Sequence, residues 1–377
     1  MKVRCTMVGL AMIAVNAFPA SVSATEPDTA PGPLVLAMPG AGKEPKQHDT
    51  MFDRTWFAKE WLDYKRRFVA EDGRVIDNAN GNVSHSEGQG YGLLLSASAG
   101  DADTFASIWS WTKQNLYVRE DGLASWKWDP ARHAVADSNN ATDGDILIAW
   151  ALDRGATRFD RPDYREAAQR IAQAIGHTVV LQGPSGPLLL PGAVGFTAPS
   201  QADGPVINLS YYVFPAFARL KALAPEVDWD GVNATGLSLL RASSFGPLHL
   251  PTDWVALGHG APRPAASFPP LFGYDAIRIP LYLAWAGRVD DERQHRFSSL
   301  WSERENIGPF VIEIATGSVR QNLEGTGYRL IAALAACSVK AIAIPDELLR
   351  HRDNLYYPET LRLLAYVAAK ERHPQCL

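Results

Sequence analysis

From residue 55 onward, apolar side chains recur at the three- and four-residue spacing of α-helices, in one block after another. Segments rich in Gly, Pro, Asn and Asp separate the blocks and are typical of turns. Strand-like pieces are few and fall between the helical blocks, at 123–136, 249–257 and 309–320. The pattern predicts about twelve helices, at residues 55–69, 88–99, 102–116, 143–155, 162–180, 208–222, 227–242, 275–286, 291–304, 325–338, 345–352 and 358–371.

Several of the predicted helices are apolar on every face. Ile146–Leu152 and Leu330–Ala336, for example, contain no polar side chain. Such helices have no face suited to water, so they belong to an inner layer that a second layer covers. Helices that follow one another along the chain then pack as hairpins around a common axis. The sequence therefore predicts an all-α fold of two concentric layers rather than an alternating α/β sheet.

The first residues of the chain have a different pattern. Met1–Arg4 is basic, Cys5–Phe18 is mostly apolar, and Val22–Ala24 supplies the small residues that a signal peptidase requires. The apolar run is shorter than the ~20 residues that span a bilayer. We therefore predict a signal peptide at residues 1–24 and a periplasmic or secreted mature protein.

Composition agrees with an exported globular protein. Residues 25–50 are rich in Pro, Gly and Ala and predict a flexible leader, which leaves residues 51–377 as a single folded domain. With 46% hydrophobic residues the chain can bury a large core. Removing Lys2 and Arg4 with the signal changes the formal charge from -5 to -7. An acidic protein without a later apolar span is a poor candidate for nucleic-acid binding or stable membrane insertion.

Two cysteines, Cys337 and Cys376, follow the predicted signal peptide. A disulfide between them is permitted outside the cytoplasm, although the sequence does not show that they meet. The paired cysteines and the His-Glu-x-x-His spacing of zinc sites are absent from the sequence. We therefore predict no metal site.

The most distinctive stretch is Ser84–Gly92, in which one carboxylate, Glu87, stands among small residues directly before the apolar run Leu93–Leu95. This arrangement places Glu87 at or beside the N-terminus of a helix. One interpretation is a capping box, in which Ser84 and Glu87 satisfy free backbone N–H groups. The other is a functional carboxylate, and the rest of the chain decides between them.

Two further acidic motifs open apolar helices. Asp143 and Asp145 flank a glycine at the start of one helix, where either would suit the helix N-terminus. Capping accounts for only one of these two acids. In the third motif Asp275 precedes an apolar helix and Arg278 follows three residues later, a spacing that also suits a local ion pair.

The starts of inner helices in such a barrel meet at one end, so we expect Glu87, Asp143 and Asp275 to be neighbours. Carboxylates that share a site raise one another's pKa. A protonated acid opposite an ionised base is the arrangement that hydrolyses glycosidic bonds. Aromatic side chains in Trp126–Trp128 and Tyr211–Tyr212 would suit the apolar faces of sugars.

The motifs Ser86–Gly92, Ala141–Asp145 and Tyr274–Arg278, in this order, resemble those of glycoside hydrolase family 8. Two further segments, Leu189–Phe196 and Asn208–Tyr211, are similar to the periplasmic endoglucanases of bacterial cellulose-synthesis systems. The resemblance implies an (α/α)6 barrel with a few short β hairpins in its connections. It also implies an inverting endo-β-1,4-glucanase that needs no cofactor.

The resemblance implies a role for individual residues as well. Glu87 would be the general acid, Asp275 the general base, and Asp143 the residue that holds a distorted sugar at the cleavage point. Tyr211 would help to place the attacking water, and Arg278 would orient Asp275.

The remaining implied residues contact substrate. Trp126 and Trp128 would stack on glucose units, and Tyr91 belongs to the same substrate-binding set. The implied partner is a β-1,4-glucan, with association with a cellulose synthase complex as a further expectation.

Four other functions stay open at this point. A chitosanase or a xylanase would belong to the same family, and acids beyond the catalytic set would favour cationic chitosan. A non-catalytic glucan-binding protein would keep the aromatic residues without needing the carboxylates. A polysaccharide lyase would favour Tyr, His and Arg at its centre, and its acidic substrates would be repelled by three carboxylates.

Overall fold

The computed structural model of the chain describes residues 54–302 and 309–377. The predicted signal peptide and flexible leader lie outside these residues. None of the helices in the described part combines the length and the apolar character needed to cross a membrane.

α-Helices make up most of the described chain, in agreement with the pattern of apolar residues. The twelve helices of the described part are α1 (Arg54–Phe68), α2 (Ser86–Ala99), α3 (Ala102–Asn115), α4 (Thr142–Phe159), α5 (Pro162–Thr178), α6 (Phe217–Leu223), α7 (Trp229–Ala242), α8 (Arg278–Trp285), α9 (Glu292–Ser302), α10 (Thr326–Lys340), α11 (Asp346–Arg350) and α12 (Tyr356–Arg372).

The helices form an inner and an outer layer. Helices α2, α4, α8, α10 and α12 are buried on most or all sides, and every residue of α8 is buried. The short α6, with the turn Phe214–Ala216 before it, takes the sixth place between α4 and α8. Because α12 packs against α2, the inner layer closes into a ring, and the odd-numbered helices cover it from outside. The predicted (α/α)6 barrel is confirmed.

A close approach between α2 and α4 positions the acidic motifs. A Cβ added at Gly144 would lie 2.7 Å from the backbone nitrogen of Glu87 and 2.2 Å from Ser86 Oγ. No side chain fits in that space, so glycine at this position lets the first turn of α4 contact the first turn of α2. This contact brings Asp143 next to Glu87.

Short antiparallel strands occupy the connections, where the resemblance placed hairpins. Two of the three-stranded sheets lie beside the inner-helix starts, one built from segments around Trp254 and the other around Phe310. The strands of the described part are β1 (Ser84–His85), β2 (Lys127–Asp129), β3 (Ala134–Asp137), β4 (Val180–Gly183), β5 (Gly186–Leu189), β6 (Val206–Asn208), β7 (Trp254–Ala256), β8 (Arg263–Pro264), β9 (Leu271–Phe272), β10 (Phe310–Glu313) and β11 (Val319–Asn322).

One predicted helix is wrong. Residues 208–222 form the end of β6, two short 3-10 turns and then α6, rather than one continuous helix. Pro215 supplies no backbone N–H and disfavours helical geometry at the residue before it. In addition, the Asn208 side chain accepts a hydrogen bond from Ser210 N at 3.0 Å, which favours a turn. The break matters because it leaves Tyr211 in a turn at the mouth of the barrel.

The two cysteines do meet. Cys337 of α10 and Cys376, near the end of the chain, form a disulfide with a Cα–Cα distance of 5.8 Å. The bond ties the last residues to the inner layer, on elements that carry none of the predicted site residues.

Candidate active site

The starts of α2, α4 and α8 meet around one guanidinium group. Arg278, the first residue of α8, is 1% exposed. Its Nη1 donates to Glu87 Oε2 and, at 2.8 Å, to Asp143 Oδ2. Its Nη2 donates to Asp275 Oδ1 at 2.9 Å. The structure therefore brings together three acids that are far apart in sequence, and a single cation contacts all of them.

The remaining bonds of Arg278 fix its orientation. Nη2 donates to Ser210 Oγ at 2.9 Å and Nη1 to the Tyr91 hydroxyl at 3.3 Å. The Tyr91 hydroxyl also bonds that of Tyr282 at 2.9 Å. Because Tyr91 is fully buried, the expectation that it contacts substrate is wrong. It lies behind Arg278 and supports the guanidinium from the barrel interior.

Glu87 is held in the first turn of α2 but does not cap it. The N-cap is His85, whose Nδ1 accepts a hydrogen bond from Gly88 N at 2.9 Å. Ser84 instead donates its hydroxyl to Val75 O at 2.6 Å, so the capping-box interpretation is wrong. The Glu87 side chain is 15% exposed and lines a cleft. Its carboxylate is therefore available to a ligand.

Asp143 lies below the floor of the cleft. Its side chain is 1% exposed, with Oδ1 accepting from Gly144 N at 2.9 Å and Oδ2 accepting from Arg278. Burial and the negative charge of Glu87 raise the pKa of Asp143 to about 7, while Arg278 opposes the rise. The carboxylate does not line the cleft, so the expectation that Asp143 holds the sugar is not met by this geometry.

Asp275 faces the cleft with a side chain that is 25% exposed. Arg278 donates to its Oδ1 and Asn208 Nδ2 donates to its Oδ2 at 3.0 Å. Burial raises the pKa of Asp275, against the lowering effect of Arg278 and of both hydrogen bonds. Both carboxylate oxygens thus accept a hydrogen bond, an arrangement that favours the ionised form.

Sequence reasoning missed Asp253, which lies beside the Asp275 loop. Its Oδ1 accepts from Gly273 N and from Ala276 N, both at 2.9 Å. Burial and the charge of Asp275 raise the pKa of Asp253 to about 8. No motif or helical periodicity surrounds this residue in the sequence, so only the fold could have revealed it.

The cleft has a volume of about 960 Å³. Glu87 and Asp275 line it together with Trp126 and Tyr211, two of the predicted sugar-binding residues. The guanidinium of Arg278 lies 5.7 Å from the ring centroid of Tyr211. Within residues 54–302 and 309–377, no group of three or more His, Cys, Asp or Glu side chains is placed to hold a metal ion.

Trp128 is not part of the cleft, and its predicted role is wrong. Its ring is 7% exposed and packs edge-on against Trp111, with centroids 5.4 Å apart. Trp126 lies just before β2 and lines the cleft, whereas Trp128 is paired within the sheet, opposite Ser84 and Val135. Of the two predicted tryptophans, only Trp126 therefore contributes its ring to the cleft.

Trp254 adds an aromatic wall that the sequence did not single out. Its ring stacks on Phe196 at 5.6 Å and on Phe268 at 4.3 Å, and all three side chains line the cleft. Three tyrosines, Tyr274, Tyr328 and Tyr357, also line it. A cleft bordered by rings, with hydrogen-bonding groups between them, suits a ligand that has apolar faces and hydroxyl groups.

The sequence profile of glycosyl hydrolases family 8 matches residues 50–371 of the chain. A probable endoglucanase from Novacetimonas hansenii is 38% identical over 344 residues, which make up 90% of this chain and 96% of that relative.

Two solved structures are similar in fold and sequence. An endo-β-1,4-glucanase from Acetobacter xylinum has a TM-score of 0.78 and 37% identity, covering 85% of this chain and 99% of that one. An endoglucanase from Klebsiella pneumoniae, described as a family 8 glycosyl hydrolase, has a TM-score of 0.75 and 34% identity, covering 84% of this chain and 100% of that one. From the profile and these relatives together, the chain belongs to glycosyl hydrolases family 8.

Proposed function

We propose that the protein is an endo-β-1,4-glucanase that hydrolyses cellulose or a related β-glucan with inversion at the anomeric carbon. The observation that carries this proposal is the pair Glu87 and Asp275, which face one cleft from the first turn of α2 and from the turn before α8 and are bridged by the buried Arg278. The endoglucanase names of the relatives support the same substrate class.

Glu87 is the general acid in this proposal. It gives a proton to the glycosidic oxygen as the bond from that oxygen to the anomeric carbon breaks. Burial and the charge of Glu87 raise the pKa of Asp143 to about 7, so Asp143 carries a proton beside Glu87 at pH values below that. Asp143 therefore acts from behind the cleft floor, as a neighbour that helps to keep the proton available.

Asp275 is the general base. Ionised, it takes a proton from a water molecule, and the water oxygen forms the new bond to the anomeric carbon on the face opposite the leaving group. Asn208 and Arg278 hold its two oxygens, while Tyr211 lies beside them on the cleft wall. Inverting enzymes keep the two carboxyl groups roughly 6.5–9.5 Å apart to admit this water. Glu87 and Asp275 bond to different nitrogens of the Arg278 guanidinium, and we expect their carboxyl groups to stand at the inverting separation.

Chitosan is the second candidate substrate, because five further acids line the cleft: Asp77, Asp253, Glu313, Glu324 and Asp353. Most of them already have partners within the protein. Asp77 pairs with His85, Glu313 with Arg320, and Asp353 accepts from backbone N–H groups at the start of α10. Partners within the protein thus compensate much of their negative charge, which favours a neutral glucan over a cationic one.

The direct test of the substrate is reducing-sugar release by the purified wild-type protein from carboxymethyl cellulose, chitosan and xylan. We expect the highest kcat/KM on the cellulosic substrate. A higher value on chitosan or xylan would transfer the mechanism to that substrate. Binding of glucan without any hydrolysis would reject the enzymatic assignment in favour of a binding protein.

The remaining expectations extend this proposal to the whole chain. We propose that residues 51–377 act as one catalytic domain, exported after cleavage of the signal peptide near Ala24. Association with a cellulose synthase complex is proposed only on the resemblance of Leu189–Phe196 and Asn208–Tyr211 to endoglucanases of such systems.

A further inference from the structure

Asp145 takes no part in the proposed proton transfers of Glu87 and Asp275. This residue is 0% exposed, in the first turn of α4, two positions after Asp143. Its Oδ1 accepts a hydrogen bond from Ala124 N at 2.8 Å and its Oδ2 accepts one from Asn140 Nδ2 at 2.9 Å. Neither bond satisfies a free N–H of α4, so Asp145 is not a helix cap. Both bonds lead away from the helix to segments that border the cleft.

Asn140 extends the connection to another segment. It is 3% exposed, and its Oδ1 accepts from Ala193 N at 2.7 Å, across 53 positions of sequence. The pair Asp145 and Asn140 therefore links three segments, 124–126, 139–141 and 190–196. Each segment supplies cleft-lining residues, among them Trp126 and Phe196.

Backbone contacts show that the three segments form one wall. Trp126 N donates to Asn139 O at 2.8 Å, and Ser86 N donates to Trp126 O at 3.0 Å. The side chain of Asn139 bonds both backbone groups of Val194, at 2.9 and 3.2 Å. The position of Trp126 beside Glu87 thus depends on a network with Asp145 and Asn140 at its buried centre.

We propose that Asp145 and Asn140 are positioning residues. They hold the wall formed by segments 124–126, 139–141 and 190–196, which carries Trp126, and thereby set the affinity for the sugar units that lie along this wall. The two acids of the Asp-Gly-Asp motif then have separate effects, Asp143 on proton supply and Asp145 on substrate binding. This inference rests on the proposed β-1,4-glucan substrate and deepens it, because it names the residues that control binding along one side of the cleft.

The Asp145→Asn variant tests the proposal by changing one acceptor into a donor. If the carbonyl oxygen of the new side chain accepts from Ala124 N, its amide group faces the amide of Asn140, so two donors oppose each other. If the Asn140 amide reverses, its Oδ1 can accept from position 145, but its Nδ2 then faces Ala193 N, which is also a donor. The loss of one buried hydrogen bond should raise KM for cellohexaose about tenfold. We expect kcat to stay within about twofold, because the bonds among Glu87, Asp275 and Arg278 are unchanged.

The matched control exchanges the two side chains. In Asn140→Asp with Asp145→Asn, the amide at position 145 donates to the carboxylate at position 140, which still accepts from Ala193 N. Position 145 still accepts from Ala124 N through its carbonyl oxygen. We expect this double variant to restore KM to within about threefold of wild type, since the bond between the two positions and the bonds to Ala124 N and Ala193 N are present again. A role limited to general stability would not predict rescue of KM by the exchange.

Steady-state kinetics on cellohexaose are measured alongside calorimetric binding of the same oligosaccharide in an E87Q background, where turnover is about a thousandfold slower. Should Asp145→Asn fail to fold, Asn140→Ala replaces it, because that change removes the bonds from Asn140 to Asp145 and to Ala193 N. A wild-type KM in either single variant, or an exchange variant as weak as the single one, overturns the proposal. Wild-type protein that neither binds nor cleaves cellohexaose would instead reject the proposed function.

Discussion

Replacing Glu87 with Gln is expected to lower kcat on a soluble β-glucan by about a thousandfold, because a general acid contributes roughly that much to the rate. Glutamine nearly matches the shape of glutamate and can still accept from Arg278, but it has no proton to give to the leaving oxygen. We expect little change in folding or in substrate affinity. The measurement is steady-state release of reducing ends, with circular dichroism to establish folding.

An activated substrate separates this role from general damage to the site. In an aryl cellobioside, the aryl oxide leaving group is a weak base and departs without protonation. E87Q should therefore cleave this substrate far better than it cleaves the glucan. Asp275→Asn provides the contrast: because every substrate requires an activated water, this variant should lose activity on both. Turnover of the glucan by E87Q at the wild-type rate would remove Glu87 from the mechanism.

The second large effect is expected for Arg278→Met. Arg278 is 1% exposed and contacts Glu87, Asp143 and Asp275. Methionine fills similar volume but leaves the carboxylates without their cation. Breaking a buried ion pair by removing one partner typically costs about 3–5 kcal/mol of unfolding free energy. We therefore expect a lower urea midpoint, together with loss of most hydrolytic activity at neutral pH.

The pH profile of the residual activity distinguishes an electrostatic role from loss of packing. The positive charge of Arg278 lowers the pKa of Asp275, so its removal raises that pKa. The base works only when ionised, above its pKa, and the acid limb of kcat/KM should therefore shift to higher pH. Arg278→Lys, which keeps the charge but has fewer donors, should shift the limb less. An unchanged acid limb in Arg278→Met would contradict the assigned role.

Much of the barrel was predictable because buried helices require apolar side chains on most faces. The inner helix at Ile146–Leu152 was visible in the sequence for that reason, as were the acids Glu87, Asp143 and Asp275 that precede inner helices. Isolated carboxylates directly before apolar runs are conspicuous, and a closed barrel places such positions at one end. The fold and the meeting of the three motifs thus followed from local patterns.

The direction of individual side chains did not follow from the sequence. Trp128 packs against Trp111 instead of lining the cleft, and Tyr91 points into the interior to contact Arg278. The pairing of Asp145 with Asn140 depends on loops that meet only in the folded chain. These features are set by tertiary contacts, which helical periodicity and motif spacing do not predict.

The stereochemistry of the first product tests the central claim most directly. Proton NMR of cello-oligosaccharide hydrolysis, recorded before the released sugar mutarotates, shows which anomer forms first. If Glu87 acts as acid and Asp275 activates water across the cleft, the new reducing end appears as the α anomer. Initial release of the β anomer would mean retention through a covalent intermediate, and would contradict the roles given to both residues.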